Sequence, residues 1–165
     1  MSDFYPRLRA GEREMLEQFL EQHRESILRA LDGLDDADAR RRLLPSTAMT
    51  IGGIVKHLAH MEDLWFTHKF AGRDYPPPWP GGDEEWAWRS AAEDSVGELR
   101  ALYAAACGRS RAVAAEHPSL DATAALPSFG KGPVSLRWLH IHLIRETAQH
   151  RGHVDTMLDV VRNRA

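Results

Sequence analysis

The prolines of this chain constrain its folding more than any other feature. All nine lie outside four stretches in which apolar residues recur at helical spacing. Proline cannot continue a helix, because it has no amide proton and clashes with the preceding turn. The first stretch runs from about Arg9 to Leu34 through Leu16, Phe19, Leu20, Ile27, Leu28 and Leu31. A charged connector, DDADARRRLLPSTAMT, follows and is closed by Pro45. The second stretch opens after Thr50, a residue suited to an N-cap, and carries Ile54, Leu58, Met61, Leu64 and Trp65 to its expected end at Gly72. The prolines of RDYPPPWPGGDEEW then impose an extended, aromatic-bearing connection. A third helix is expected from about Asp83 to Glu116, and His117-Pro118 ends it because the residue before proline avoids helical angles. The segment 119–133, with PSFGKGP, has the composition of a loop or short hairpin. The last helix opens at Ser135, a second good cap, and reaches about Arg162. No repeat, linker or low-complexity tract divides the chain, so residues 1–165 are expected to form one all-α domain, a four-helix bundle with long crossover connections.

Composition narrows the function classes. With 43% hydrophobic and 27% charged residues the chain can bury a real core. A formal charge of -3, with arginines interleaved among acids, offers no basic surface for a phosphate backbone, so no nucleic-acid partner is expected. One cysteine, Cys107, cannot close an internal disulfide, and it reads as a small buried thiol in a reducing compartment. The N-terminal segment is charged throughout, and no apolar run is long enough for a secretory leader or a membrane span; a cytoplasmic protein is expected.

Chemistry is expected where a polar group occupies a position that periodicity assigns to the core, since burying it unpaired costs about a few kcal/mol. On the last helix Leu136, Leu139, Leu143, Val154, Met157, Leu158 and Val161 define the apolar stripe, and Glu146 and His150, four apart, fall inside or at the edge of it. On the second helix His57 lies at the margin of the stripe made by Ile54, Leu58, Met61 and Trp65 and can look inward, whereas His60 is expected at the surface and His68 about three turns away. Two readings stay open. Glu146 and His150 can form an ordinary surface pair and His57 can bond a backbone carbonyl. Alternatively, the three can offer two imidazoles and one carboxylate to a single divalent ion, a set that suits Zn, Fe, Ni or Mn and leaves positions open for water or substrate. His153 is a candidate supporting or substitute ligand. Trp79, Trp86 and Trp88 read first as packing residues that can also wall a pocket. No phosphate-binding glycine loop, GxSxG or paired-cysteine motif is present.

The segments LLPSTAMT, GGIVKHLAHMEDLWF and SLRWLHIHLIRETAQHRGHVDTMLD, in that order and separation, resemble the DinB/YfiT-like superfamily of metal-binding four-helix bundles, and more narrowly its mini-circle branch. The likeness covers essentially the whole chain. It implies one metal ion held by His57, Glu146 and His150. In many relatives both last-helix ligands are histidines, within an HxxxH that runs into an Arg-Gly pair, as Arg151-Gly152 follows His150 here; the related N-terminal domain of mycothiol-dependent maleylpyruvate isomerase uses His, Glu and His. The resemblance further implies chemistry on low-molecular-weight thiols such as mycothiol or bacillithiol. The expectation is a thiol S-transferase acting on small electrophiles, with Zn the first candidate metal. A metal-dependent hydrolase and a non-catalytic metal-stabilised binding or stress-associated protein are the alternatives. The chain stops at Ala165 without the isomerases' further domain, so maleylpyruvate isomerisation itself is not expected. Glu62 and Asp63 are expected to face away from the site, leaving the hydrolytic reading without an evident base. A homodimer is expected on the base rate of symmetric assemblies.

Overall fold

The computed structural model describes residues 5–44, 46–80 and 85–163. Six α-helices and no strands lie among the described residues: α1 (Glu12–Ala30), α2 (Asp36–Arg40), α3 (Ile51–Glu62), α4 (Trp86–Ser90), α5 (Val96–Ala115) and α6 (Leu136–Arg162). Four of them, α1, α3, α5 and α6, form the bundle. α1 lies along α6 and α3 along α5. The expected caps are in place: the Thr50 hydroxyl accepts from the amide of Gly53, and Ser135 from that of Trp138. None of the described helices is long and apolar enough to cross a membrane.

Three boundaries differ from expectation, each for a local reason. The first helix stops at Ala30, and the charged connector forms a separate short helix, α2, because Asp35 caps it by accepting from the amide of Asp38. The expected close of that connector at Pro45 lies outside the described residues. The third helix is broken rather than continuous. α4 runs into a single 3₁₀ turn, Ala91–Glu93, Asp94 turns extended, and α5 begins afresh under Ser95. Ser95 and Glu98 form a reciprocal capping box, which satisfies the amides of a new helix start and favours the break. Its expected start at Asp83 lies outside the described residues. Beyond Glu62, α3 continues to Phe70 with the wider i to i−5 bonding of a π-helix, as in the bond from the Ala71 amide to the Phe66 carbonyl at 3.0 Å.

The apolar interior falls into two clusters. One gathers Ile27, Ile51, Ile54, Leu58, Leu99, Tyr103, Val154 and Met157; the other gathers Leu20, Phe66, Phe70, Val113, Leu136, Leu139 and Leu143. α6 crosses from the second to the first between Leu143 and Val154, and Glu146 and His150 occupy that crossing. The first turn of α3 is approached closely by its neighbours at Gly52 and Gly53, which have no side chains in the way. A Cβ on Gly52 would lie 3.1 Å from Leu99 Cδ1 and 3.2 Å from the Ala39 carbonyl oxygen.

Two adjacent acids at the junction of α3 with its π-helical extension are buried rather than solvated. Glu62 receives Arg24 of α1 in a two-pronged pair at 2.8 and 2.6 Å. Asp63 receives Arg109 of α5 at 2.8 Å through both oxygens and the Trp79 indole N–H at 2.7 Å. Successive residues on a helix point about 100° apart, so one stretch of backbone ties α3 to both α1 and α5. The Trp79 bond also pins the proline-rich connection to the bundle.

Candidate metal centre

His57 projects from α3, and Glu146 and His150 from consecutive turns of α6, toward a common point. One ligand atom from each lies within 4.8 Å of the others, and no second group of three His, Cys, Asp or Glu meets this test among the described residues. His57 Nε2 is 3.3 Å and His150 Nε2 3.4 Å from the same carboxylate oxygen, Glu146 Oε1. The side chains of His57, His150 and Glu146 keep 14%, 10% and 18% of their exposure, respectively, so the cluster is walled by protein but reached by solvent on one side. The hydrogen bond from His150, then that from His57, holds the Glu146 carboxyl far below the usual carboxylate range. It is therefore an anion facing two imidazoles, with Arg145 at 3.7 Å from its other oxygen.

These donors fit a divalent ion. Two nitrogens and a carboxylate oxygen converge from two helices, the carboxylate is ionised, and three protein ligands leave part of a coordination shell for a small molecule. One feature is unusual. The Nδ1 atoms of His57 and His150 are buried without a hydrogen-bond partner, although ligating histidines ordinarily donate from the second nitrogen to an oxygen that fixes the ring. The rings are held instead by packing. Trp88 of α4 stacks on His57 with centroids 4.7 Å apart and planes 21° from parallel, and its indole is 6.0 Å from the His150 ring. His57 and His150 meet edge to face at 4.9 Å.

The remaining histidines are dispersed. His153 packs edge to face on His150 at 5.4 Å, with its own Nδ1 buried and unbonded, and so borders the site. His60, expected at the surface, is 8% exposed, because Trp79 and Tyr75 of the proline-rich connection fold over it at 5.0 and 5.9 Å. A helical projection sees only the helix, and the cover comes from elsewhere in the chain. His68 stacks on Tyr75, His140 is buried with Nδ1 bonded to the Leu136 carbonyl, and His142 stacks on Trp138. Cys107 is buried, and desolvation pushes its thiol well above the ordinary cysteine range. Trp88 is the site residue that sequence reasoning placed first as packing, with no link to His57. Its signal was weak, an aromatic in a segment whose proline-rich neighbour obscures any periodicity.

The sequence profile of the family described as Mycothiol-S-transferase matches residues 15–163. No curated protein sequence matches the chain significantly. Among solved structures, the fold is similar to that of the sibling lethal factor precursor DfsB, at 17% identity and a TM-score of 0.66, over 95% of this chain and all of that one. It is similar to the mycothiol-dependent maleylpyruvate isomerase at 15% identity and a TM-score of 0.63, over 92% of this chain and 62% of the isomerase, so the chain spans less than two thirds of that enzyme's length. A DinB-like protein from Bacillus cereus ATCC 10987 matches at 19% identity and a TM-score of 0.58, over 88% of this chain and 91% of that one. These likenesses establish the DinB-like helical fold.

Proposed function

We propose a function from one premise: the chain belongs to the mycothiol S-transferase family, whose profile matches residues 15–163. On that premise it is a metal-dependent S-transferase that joins a low-molecular-weight thiol, mycothiol first among candidates, to a small electrophile. The observation that carries the reading is the convergence of His57, Glu146 and His150, from two helices, within 4.8 Å at a solvent-reached position. A divalent ion held there by His57, Glu146 and His150, with Zn the first candidate, would supply the Lewis acidity that lowers the pKa of a coordinating thiol. In the transfer the thiol proton passes to solvent, the sulfur forms the new bond to the electrophilic carbon, and the electron pair of the broken bond leaves with the departing group or goes to the adjacent carbon, which takes a proton back from solvent.

The chain's own residues prepare that step. Glu146 is the one charged group of the three donors, so a divalent ion held there would keep a net positive charge that favours a thiolate over a thiol. Trp88 and the flanking helices exclude much of the solvent around the three donors, and the lower local dielectric strengthens charge interactions there. Arg145, two-thirds exposed beside Glu146, stands where an anionic substrate group would enter. Glu62 and Asp63 are committed to arginines, so neither is a free base for hydrolysis. His153 is the group at the site's edge that a hydrolytic reading would have to use.

The test is metal analysis after mild chelation and reloading with Zn, Ni, Mn or Fe, followed by titration of mycothiol into the apo and loaded protein. About one ion per chain, with thiol binding confined to the loaded form, is the expected outcome. Metal without thiol binding overturns the transferase reading in favour of a hydrolytic or stabilising role, and the loss of water-dependent activity in His153→Gln would separate those two. Absence of metal under every loading condition overturns the ligand assignment.

A further inference from the structure

A histidine that grips a metal through one nitrogen needs something to fix its ring plane, and for His57 the usual device is missing: Nδ1 is buried without a hydrogen-bond partner. The face of its imidazole lies instead on the indole of Trp88, at 4.7 Å and 21°. Trp88 reaches that position over the first turn of α3, above Gly53. A Cβ on Gly53 would stand 3.1 Å from Trp88 Cε3, closer than side-chain carbons normally approach a ring, and in ordinary contact with Cζ3 at 3.6 Å. A side chain at position 53 would therefore press the six-membered ring of the indole back by a few tenths of an ångström from its place over His57. Helix propensity gives no reason for glycine here, since glycine weakens a helix interior relative to alanine.

We infer that Gly53 and Trp88 act together as positioning residues for the metal centre: Gly53 is the seat, and Trp88 is the plate that fixes the plane of the His57 imidazole. The inference rests on the reading of His57 as a ligand. It assigns the Gly-Gly start of α3 a role in the site itself as well as in packing, and it gives α4, a helix of five residues, its place in the function. Lys56, one position before His57, supports the same arrangement. Its ammonium lies 4.4 Å from the Trp86 ring and 2.5 Å from Asp94 Oδ2, holding the start of α4 and the turn that follows it against α3.

Two measurements on the full chain test this, with Co²⁺ alone as the metal probe. In the apo protein, ring-current displacement of the His57 ring protons by NMR reports the stack without reference to metal. Gly53→Ala should move those signals toward their positions in Trp88→Ala; unchanged signals in Gly53→Ala overturn the inference whether or not the protein binds metal. In the second measurement, Gly53→Ala and Trp88→Ala should each weaken Co²⁺ binding by roughly ten- to a hundred-fold, the range for losing a group that orients a ligand, while Trp88→Phe, which keeps a ring face, should lose less. The combination of Gly53→Ala with Trp88→Phe should bind no worse than Trp88→Phe alone, because the smaller ring frees the space that the added methyl group takes.

Additive losses in that pair overturn the seat. They would place the Gly53 effect on Thr50 Oγ1, 3.0 Å from the added Cβ, where damage to the helix cap would lower Tm irrespective of residue 88. A fall in Co²⁺ affinity with Tm unchanged or raised is the signature of positioning. Parent protein that shows the NMR displacement but binds no Co²⁺ would overturn the ligand reading and confine the pair's role to the ring plane of His57.

Discussion

Replacing Glu62 with glutamine keeps the side-chain volume but removes one charge from a pair in which Arg24 and Glu62 retain only 5% and 1% of their exposure. The guanidinium is then left 5.9 Å from the Phe66 ring centroid, with Glu21 at 3.5 Å as its remaining ionic neighbour. Breaking a buried pair from one side costs about 3–5 kcal/mol. Glu21 compensates in part, although it is already engaged by Arg111, so the lower end, about 3 kcal/mol, is expected. For a chain of this size about 2–4 °C of Tm accompanies each kcal/mol, so Tm should fall by about 6–12 °C. Urea and thermal unfolding of the apo protein, followed by far-ultraviolet circular dichroism, give both figures. Arg24→Met combined with Glu62→Leu should recover most of the loss, because an apolar pair of similar volume is often as stable as a buried ion pair. A Glu62→Gln variant within about 0.5 kcal/mol of the parent would refute the argument and class the pair energetically with exposed salt bridges.

His150→Ala should remove most of the bound metal and leave helical content intact by circular dichroism; unchanged metal stoichiometry would sink the ligand assignment. His60→Ala should leave metal content untouched but lower Tm, since it empties a space under Trp79 and Tyr75; loss of metal without loss of stability would show the facing argument for α3 to be wrong. Cys107 should resist a colorimetric disulfide reagent in the native protein at pH 8 and react at once in denaturant, because burial both shields the thiol and disfavours the thiolate. Fast native-state labelling would contradict that burial. Ser95→Ala should cost about 1 kcal/mol by removing the capping box of α5, measured as a Tm decrease of about 2–4 °C.

Much of this protein was legible along the chain. The prolines and the 3.6-residue periodicity separate the four long helices, and Thr50 and Ser135 cap two of them because a side-chain oxygen there satisfies an amide that the helix leaves open. Periodicity also singled out His57, Glu146 and His150, since a polar residue on an apolar stripe is visible without knowing what the stripe packs against. Periodicity reads one helix across Ser95 and Glu98 and passes over their S-x-x-E pattern; the structure shows it as a capping box at a break.

Other features belong to the tertiary structure, because they depend on partners that no local pattern names. The burial of His60 comes from Trp79 and Tyr75, brought over it by an irregular connection. Glu62 and Asp63 are buried only because Arg24 and Arg109 reach them from other helices. Trp88 becomes part of the site only because Gly53 leaves room for its ring above α3. Short-range backbone geometry is enough to locate the four long helical stretches and the polar groups that stand out on their apolar faces. That two imidazoles and a carboxylate, His57 and Glu146 being 89 positions apart, meet at one point, and what holds them there, follows from how helices pack rather than from where they begin.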